Sequence, residues 1–281
     1  MAYSARVLLD SVNPAGVRLT TLEVTFPRFV LAEFNTHRVL SRNSASSRAV
    51  PTAKLIERVE REPAVPLEWG LNEAGMSASD VLAVEAAEAA TRAWLEARDD
   101  AVAHARELLD LKVHKQELNR LLEPFLWHTV IVTATEWENF FELRCAVNAQ
   151  PEIREAALRM RAAIDASRPR TIGYGQWHTP LLQADEATLD VEIRKQISAA
   201  RCARVSYLTH GGTREIAKDL ELYERLRSDR HLSPFEHVAT PSEDAAFHAN
   251  FRGWIQMRAA IETHSGPQSS VRRAVQPTSG A

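Results

Sequence analysis

The chain opens with alternating apolar and polar positions, "ARVLLDSVNPAGVRLTTLEVTF", interrupted at Asn13-Pro14-Ala15-Gly16. Alternation of period two on both sides of a turn-forming quartet predicts two strands joined as a hairpin. Pro27 punctuates the second run, and "RFVLAEFNTHRVL" reads as a short helix with a serine- and asparagine-rich loop behind it. Residues 51–76 hold several prolines and little periodicity. From Ser79, a plausible N-cap, to Leu111, the positions Leu82, Ala86, Ala90, Ala93, Ala97, Ala101, Ala105 and Leu108 recur on one face and predict a long helix. "HKQELNRLLEPF" reads as helical as far as Pro124, whereas "LWHTVIVTATEW" fits either a strand or a buried helix. Further helices are expected over "ENFFELRCAV", over "PEIREAALRMRAAI" with Pro151 at its first position, and around "DVEIRKQISAARCARVSY" and "GTREIAKDLELYERLRS". Residues 167–190 read as loop. The pattern predicts an α+β fold in a single domain over residues 1–265, and a flexible tail over 266–281.

Composition narrows the functional classes. With 281 residues, 45% apolar and 25% charged, the chain can bury a sizeable core. A net charge of −3 argues against a nucleic-acid binder, although it leaves room for a local basic pocket. Two cysteines, Cys145 and Cys202, make no disulfide framework. With no secretory leader and no apolar run of membrane-spanning length, a soluble cytoplasmic protein is expected.

Candidate chemistry concentrates in a few segments. "NTHRVLSRNSASSRAV" sets His37, Arg38, Ser41, Asn43, Ser46 and Arg48 directly behind a core-forming run. Guanidinium forks and hydroxyls of this kind suit an anion or a planar polar ring, while a solvated surface loop accounts for the same composition. In "FFELRCAVNAQPEIR", Arg144 follows an apolar run and needs a partner. That partner is either an acid such as Glu142 or Glu152, or a ligand phosphate or carbonyl. Gln116 and Arg120 share a helix face, which solvent would explain equally well. His231 and His237 in "DRHLSPFEHVATP" lack zinc-helix spacing and thiolate support, so no metal is expected. No G-x-S-x-G elbow accompanies Ser233. Cys145, beside Arg144, is either an activated thiol or a small buried hydrophobe. "FPRFVLAEFNTHR" and "FHANFRGWIQMR" echo one another, both pairing aromatics with a closing arginine.

Together these segments resemble the flavin-dependent thymidylate synthases. Against that family's R-H-R-x-x-S-x-N-x-x-S-x-R-Y, the chain reads "THRVLSRNSASSRA". His37, Arg38, Ser41, Asn43, Ser46 and Arg48 match, while Thr36 replaces the first arginine and Ala49 the tyrosine. "NFFELRCAVNAQPEI" resembles the family's N-F-L-x-L-R … A-Q-x-E-I, and Arg120 its upstream arginine. "CARVSY" and "HLSPFEH" resemble segments that in the family precede the arginine signature, whereas here they follow it. The chain is thus similar to a circularly rearranged member, with "FRGWIQMR" where R-Q-W-x-R-H-R would follow. On that reading Gln256 and Arg258 stand in for groups that Thr36 and Glu33 do not provide.

The resemblance implies helices around a twisted, mainly antiparallel sheet, and a homotetramer with shared active sites. It implies FAD-dependent reductive C5 methylation of dUMP or UMP, with methylenetetrahydrofolate as one-carbon donor and NADPH as reductant. By residue, it implies Arg144 and Ser46 as catalytic, and Ser46, Ser47, Arg48, Arg120, Arg144 and Gln256 as substrate-binding. His37, Arg38, Ser41, Asn139, His231, Ser233 and Glu236 would hold the flavin. The alternatives are a flavin- or nucleotide-binding protein without catalysis, a 5-hydroxymethylating variant, or an interaction protein whose serine loop meets only solvent.

Overall fold

The computed structural model describes residues 3–75, 77–204 and 215–263. A tail over 266–281 and the expected "VSY" motif at 205–207 lie outside them. The N-terminal alternation forms β1 (Ser4–Val12) and β2 (Arg18–Pro27), paired antiparallel. Their turn is closed by Asn13, whose Oδ1 accepts from the Val17 amide at 2.8 Å, and by Gly16 at φ 77°. That left-handed conformation is open to glycine without a Cβ penalty. β3 (Ser41–Ser44), β4 (Trp127–Ala134) and β5 (Arg170–Thr171) complete a sheet of order β3-β4-β2-β1-β5, antiparallel except for β1 with β5. The fold is therefore α+β with a mainly antiparallel sheet.

The helices are α1 (Leu31–Phe34), α2 (Thr52–Arg61), α3 (Val84–Asp110), α4 (Lys115–Leu118), α5 (Glu138–Arg144), α6 (Pro151–Ala166), α7 (Val191–Ala203), α8 (Ile216–Ser228) and α9 (Met257–Thr263). Four short strands near the C-terminus, β6 (Ala239–Pro241), β7 (Phe247–His248), β8 (Phe251–Arg252) and β9 (Trp254–Gln256), pair as β6-β9 and β7-β8.

Period-two alternation splits the sheet into two different faces. Leu22, Val24 and Phe26 of β2, with Val130, Val132 and Ala134 of β4, bury against α6 and the aromatic cluster of Phe34 and Phe140. The opposite face carries Thr21, Thr25, Thr129 and Thr133, which pair across the strands as Thr21–Thr133 (2.7 Å) and Thr25–Thr129 (3.0 Å). On this hydroxylated face sits the C-terminal layer. His178 donates or accepts at Thr21 Oγ1 (2.8 Å) and Ser11 Oγ (2.9 Å), and His237 Nδ1 meets Thr133 Oγ1 at 2.7 Å. Burial lowers both rings to about 3, with Arg170 adding to the effect at His178, so they pack as neutral imidazoles.

Several local expectations change. The stretch behind α1 is not all loop: Ser41–Ser44 add a strand to β4, because β4 would otherwise leave an unpaired edge. The long helix starts at Val84, and Ser79 instead bonds Glu73. The "HKQELNRLLEPF" segment is a single α-turn followed by a 3-10 stretch, Asn119–Phe125, that accommodates Pro124. Trp127–Ala134 is a strand, which resolves the earlier choice. Among the described residues, no helix is long and apolar enough to cross a membrane.

Candidate functional site

β3 is the structural centre of the candidate site. It lies at the sheet edge, and its side chains alternate between two surroundings. Ser41 and Asn43 share the register of Thr133 and Ile131 and face the C-terminal layer. Asn43 accepts from Ser233 Oγ at 2.8 Å and donates to the Cys202 carbonyl at 3.0 Å. Ser41, 1% exposed, accepts from Gln256 Nε2 (3.0 Å) and Asn250 Nδ2 (2.9 Å). "HLSPFEH" and "FRGWIQMR" therefore close on the signature strand from the far end of the chain. Arg42 points the other way, donating to the carbonyls of His37 (2.8 Å), Asn35 (3.3 Å) and Phe34 (3.4 Å), the frayed C-terminus of α1.

Two clefts open beside β3. One, of about 660 Å³, is lined by Asn43, Ser46, Arg48, Arg204, Lys218, Arg225, His231 and Ser233. The other, of about 590 Å³, is lined by Arg38, Arg42, Ser233, Glu236, Asn250, Gln256 and Arg258. Ser233 belongs to both, so one hydroxyl on the 3-10 turn Ser233–Glu236 separates them. Gln256 is 4% exposed and its amide NH2 is fully committed, to Ser41 and to Asn250 Oδ1 at 3.0 Å. Arg258, on the first turn of α9, is bound to Glu236 and Glu262.

Arg144 lies apart from both clefts. Among the described residues no acid holds it: its Nε donates to His37 Nε2 at 2.8 Å, and its Nη2 to Thr36 Oγ1 at 3.2 Å. Glu152 instead accepts from the Leu67 amide. His37 is 7% exposed, and burial, then Arg144 and Arg42, lowers its pKa. It is thus a neutral acceptor that fixes the guanidinium. Thr36, which departs from the family signature, is a ligand of this arginine. Asn139 is exposed on α5, the helix that carries Arg144.

Ser47 and Arg120 converge on Glu123. Ser47 Oγ donates at 2.6 Å, Arg120 Nη1 at 3.0 and 3.2 Å, and Arg28 Nη2 at 2.9 Å. A small cavity of about 100 Å³ lies behind, lined by Ser46, Ser47, Arg28, Arg58 and His128 among others. Ser46 borders both this cavity and the larger cleft. Burial raises the Cys145 thiol above its ordinary value despite Arg161 beside it, so the cysteine is not an activated nucleophile. Among the described residues, no group of histidines, cysteines and carboxylates could hold a metal ion.

The sequence reading passed over Asn250, Arg42, Lys218, Arg225 and Glu123. Asn250 falls in the C-terminal echo, which was the available signal. Lys218 and Arg225 lie within the expected helix "GTREIAKDLELYERLRS", and Glu123 within "HKQELNRLLEPF".

A family model described as thymidylate synthase complementing protein matches residues 17–170, more than half of the chain. Two solved structures are similar, both of the UMP/dUMP methylase PolB from Streptomyces cacaoi, bound with 5-Br dUMP and with 5-Br UMP. They give TM-scores of 0.48 and 0.46 at 16% identity, over 58% of this chain and 90% and 88% of theirs. No curated protein matches the chain.

Proposed function

The chain belongs to the thymidylate synthase complementing protein family, a thymidylate synthase-like methyltransferase, and from that premise we propose that it methylates C5 of dUMP or UMP reductively. FAD is the proposed cofactor, methylenetetrahydrofolate the one-carbon donor and NADPH the reductant. The observation that carries this reading is the meeting of distant motifs on β3, with Ser233 on Asn43 and Gln256 on Ser41. These contacts lie where the two clefts meet at Ser233, and the proposal gives each cleft one of two ligands.

The donor set fits a flavin. Arg38 and Arg42 in the 590 Å³ cleft suit a pyrophosphate, and Ser233 and Glu236 supply a hydroxyl and a carboxylate for a flavin ring edge. Ser41 joins the proposed flavin set through its hold on Gln256 and His231 from the adjoining cleft, while His37 and Asn139, beside Arg144 and in neither cleft, would complete it across a subunit boundary. When bound, FAD supplies the hydride that reduces the transferred carbon. Ser46 and Arg48 hold the nucleotide phosphate in the basic cleft.

Uracil C5 becomes nucleophilic only when electron density is pushed onto the ring, and that places negative charge on a carbonyl oxygen. Arg144 is the proposed stabiliser of that oxygen. Neutral His37 and Thr36 orient its guanidinium without neutralising it, so its full charge remains available. This site sharing extends to a homotetramer in the proposal, since Arg144 lines neither cleft of its own chain. The test is direct. The purified protein should show flavin absorbance that bleaches with NADPH, and should then convert dUMP or UMP when methylenetetrahydrofolate is added. A colourless protein that takes up no added FAD would sink the reading.

A further inference from the structure

We propose that Glu123 determines where the substrate phosphate binds: its carboxylate occupies the Ser47, Arg28 and Arg120 donors, and the phosphate is directed to the Arg48–Arg225 cleft. This rests on reading the chain as acting on a uridine monophosphate. By residue type, Ser47 and Arg120 look like phosphate ligands. In the structure they already hold an anion, because Glu123 accepts from the Ser47 hydroxyl, from Arg120 and from Arg28. The 3-10 stretch Asn119–Phe125 makes this possible. It turns Arg120 and Glu123 to one side at i, i+3 and presents both to the turn at Ser47. Asn119 locks that turn by donating to the Ser47 and Val50 carbonyls at 2.8 and 3.0 Å.

Burial raises the Glu123 carboxyl, but Ser47, Arg28 and Arg120 outweigh it and hold the group below its usual range. It is therefore ionised at neutral pH, and a phosphate would have to eject it or sit beside a like charge. The 660 Å³ cleft has the opposite balance. Arg204 is paired with Asp219 and Lys218 with Glu215, while Arg48 and Arg225 form no ion pair among the described residues and Glu221 is the one carboxylate in the described lining, leaving an excess of positive charge. Both line the opening, together with Ser46 and His231. Two guanidinium groups without an ion pair, against one carboxylate at the same wide cleft, make it the favourable place for a phosphate dianion.

Calorimetric titration with uridine 5′-monophosphate and with inorganic phosphate tests this. Wild type should bind one equivalent of each at a shared site, and Arg225→Ala should weaken both about tenfold or more. Glu123→Gln should leave that first site unchanged and add a second inorganic phosphate, because Arg28 and Arg120 lose their counter-charge. Circular dichroism checks the fold of each variant, and Glu123→Leu repeats the test should Glu123→Gln unfold. If Glu123→Gln keeps one site and tightens it, the carboxylate competes inside the substrate pocket and the inference is wrong. One site of unchanged affinity overturns the role of Glu123 as well, as does an Arg225→Ala protein with wild-type affinity. A wild type that binds UMP in the Arg225 cleft but transfers no methyl group would remove the functional reading and leave this one standing. A wild type that binds neither ligand removes this one.

Discussion

Replacing Thr133 by valine keeps side-chain shape and removes one hydroxyl from the middle of a buried relay. Thr133 is fully buried, and its Oγ1 joins Thr21 Oγ1 and His237 Nδ1, each at 2.7 Å. Thr21 keeps a partner in His178, but His237 keeps none, because its Nε2 already lacks one. Two hydrogen bonds are lost at about 1 kcal/mol each, and a stranded buried imidazole adds about 1–3 kcal/mol. The expected destabilisation is thus about 3–5 kcal/mol, read as a lower urea midpoint at pH 7.5 with unchanged slope. Thr133→Ser restores the hydroxyl and should recover most of the loss, leaving only the cost of one methyl group, about 1 kcal/mol. A valine variant within about 0.5 kcal/mol of wild type, inside the usual scatter of neutral substitutions, would refute the reasoning. So would a serine variant less stable than the valine one. The consequence reaches the site, since His237 follows the turn bearing Ser233 and Glu236.

Other outcomes follow from the same physics. His128, His178 and His237 all sit near pKa 3 in the folded protein, below the unfolded value of about 6.5. Their stabilising effect is complete above that unfolded value and is lost as pH falls from it towards 3. Unfolding free energies from urea titrations should therefore fall between pH 7 and pH 5, by on the order of 2 kcal/mol per histidine, and a flat profile would contradict their neutrality. Arg201 is 5% exposed and binds both Glu186 oxygens and Asp219. Arg201→Ala removes the guanidinium shared by buried Glu186 and Asp219, leaving Asp219 with Arg204, and should cost about 3–5 kcal/mol, measured as a fall in thermal midpoint. Arg144→Ala removes the proposed stabiliser of the uracil oxygen and should weaken nucleotide binding about tenfold or more, while flavin stays bound. Joint loss of both ligands from a folded variant would contradict that division.

How much of this was legible in the chain depends on the range of the interactions. The Asn13–Gly16 turn, Pro151 at the start of α6 and the apolar face of β2 follow from short-range rules, and the sequence determined them. The signature residues and "HLSPFEH" were likewise recognisable as chemistry before any coordinates. What a linear reading lacked was the occupancy of each donor. Arg144 needed a partner, and nothing local could say that this was a histidine 107 positions away instead of Glu142. Ser47 and Arg120 had the residue types of a phosphate cradle, yet they meet the chain's own carboxylate.

The edge strand at Ser41–Ser44 shows the same division. Its composition is that of a loop, and only β4 on one side and the C-terminal layer on the other make it a strand. The pattern of apolar positions therefore determined which elements form and which faces they bury. Tertiary structure alone decided which polar groups neutralise one another and which remain open to a ligand, because hydrogen bonds and ion pairs are satisfied in space, without regard to distance along the chain.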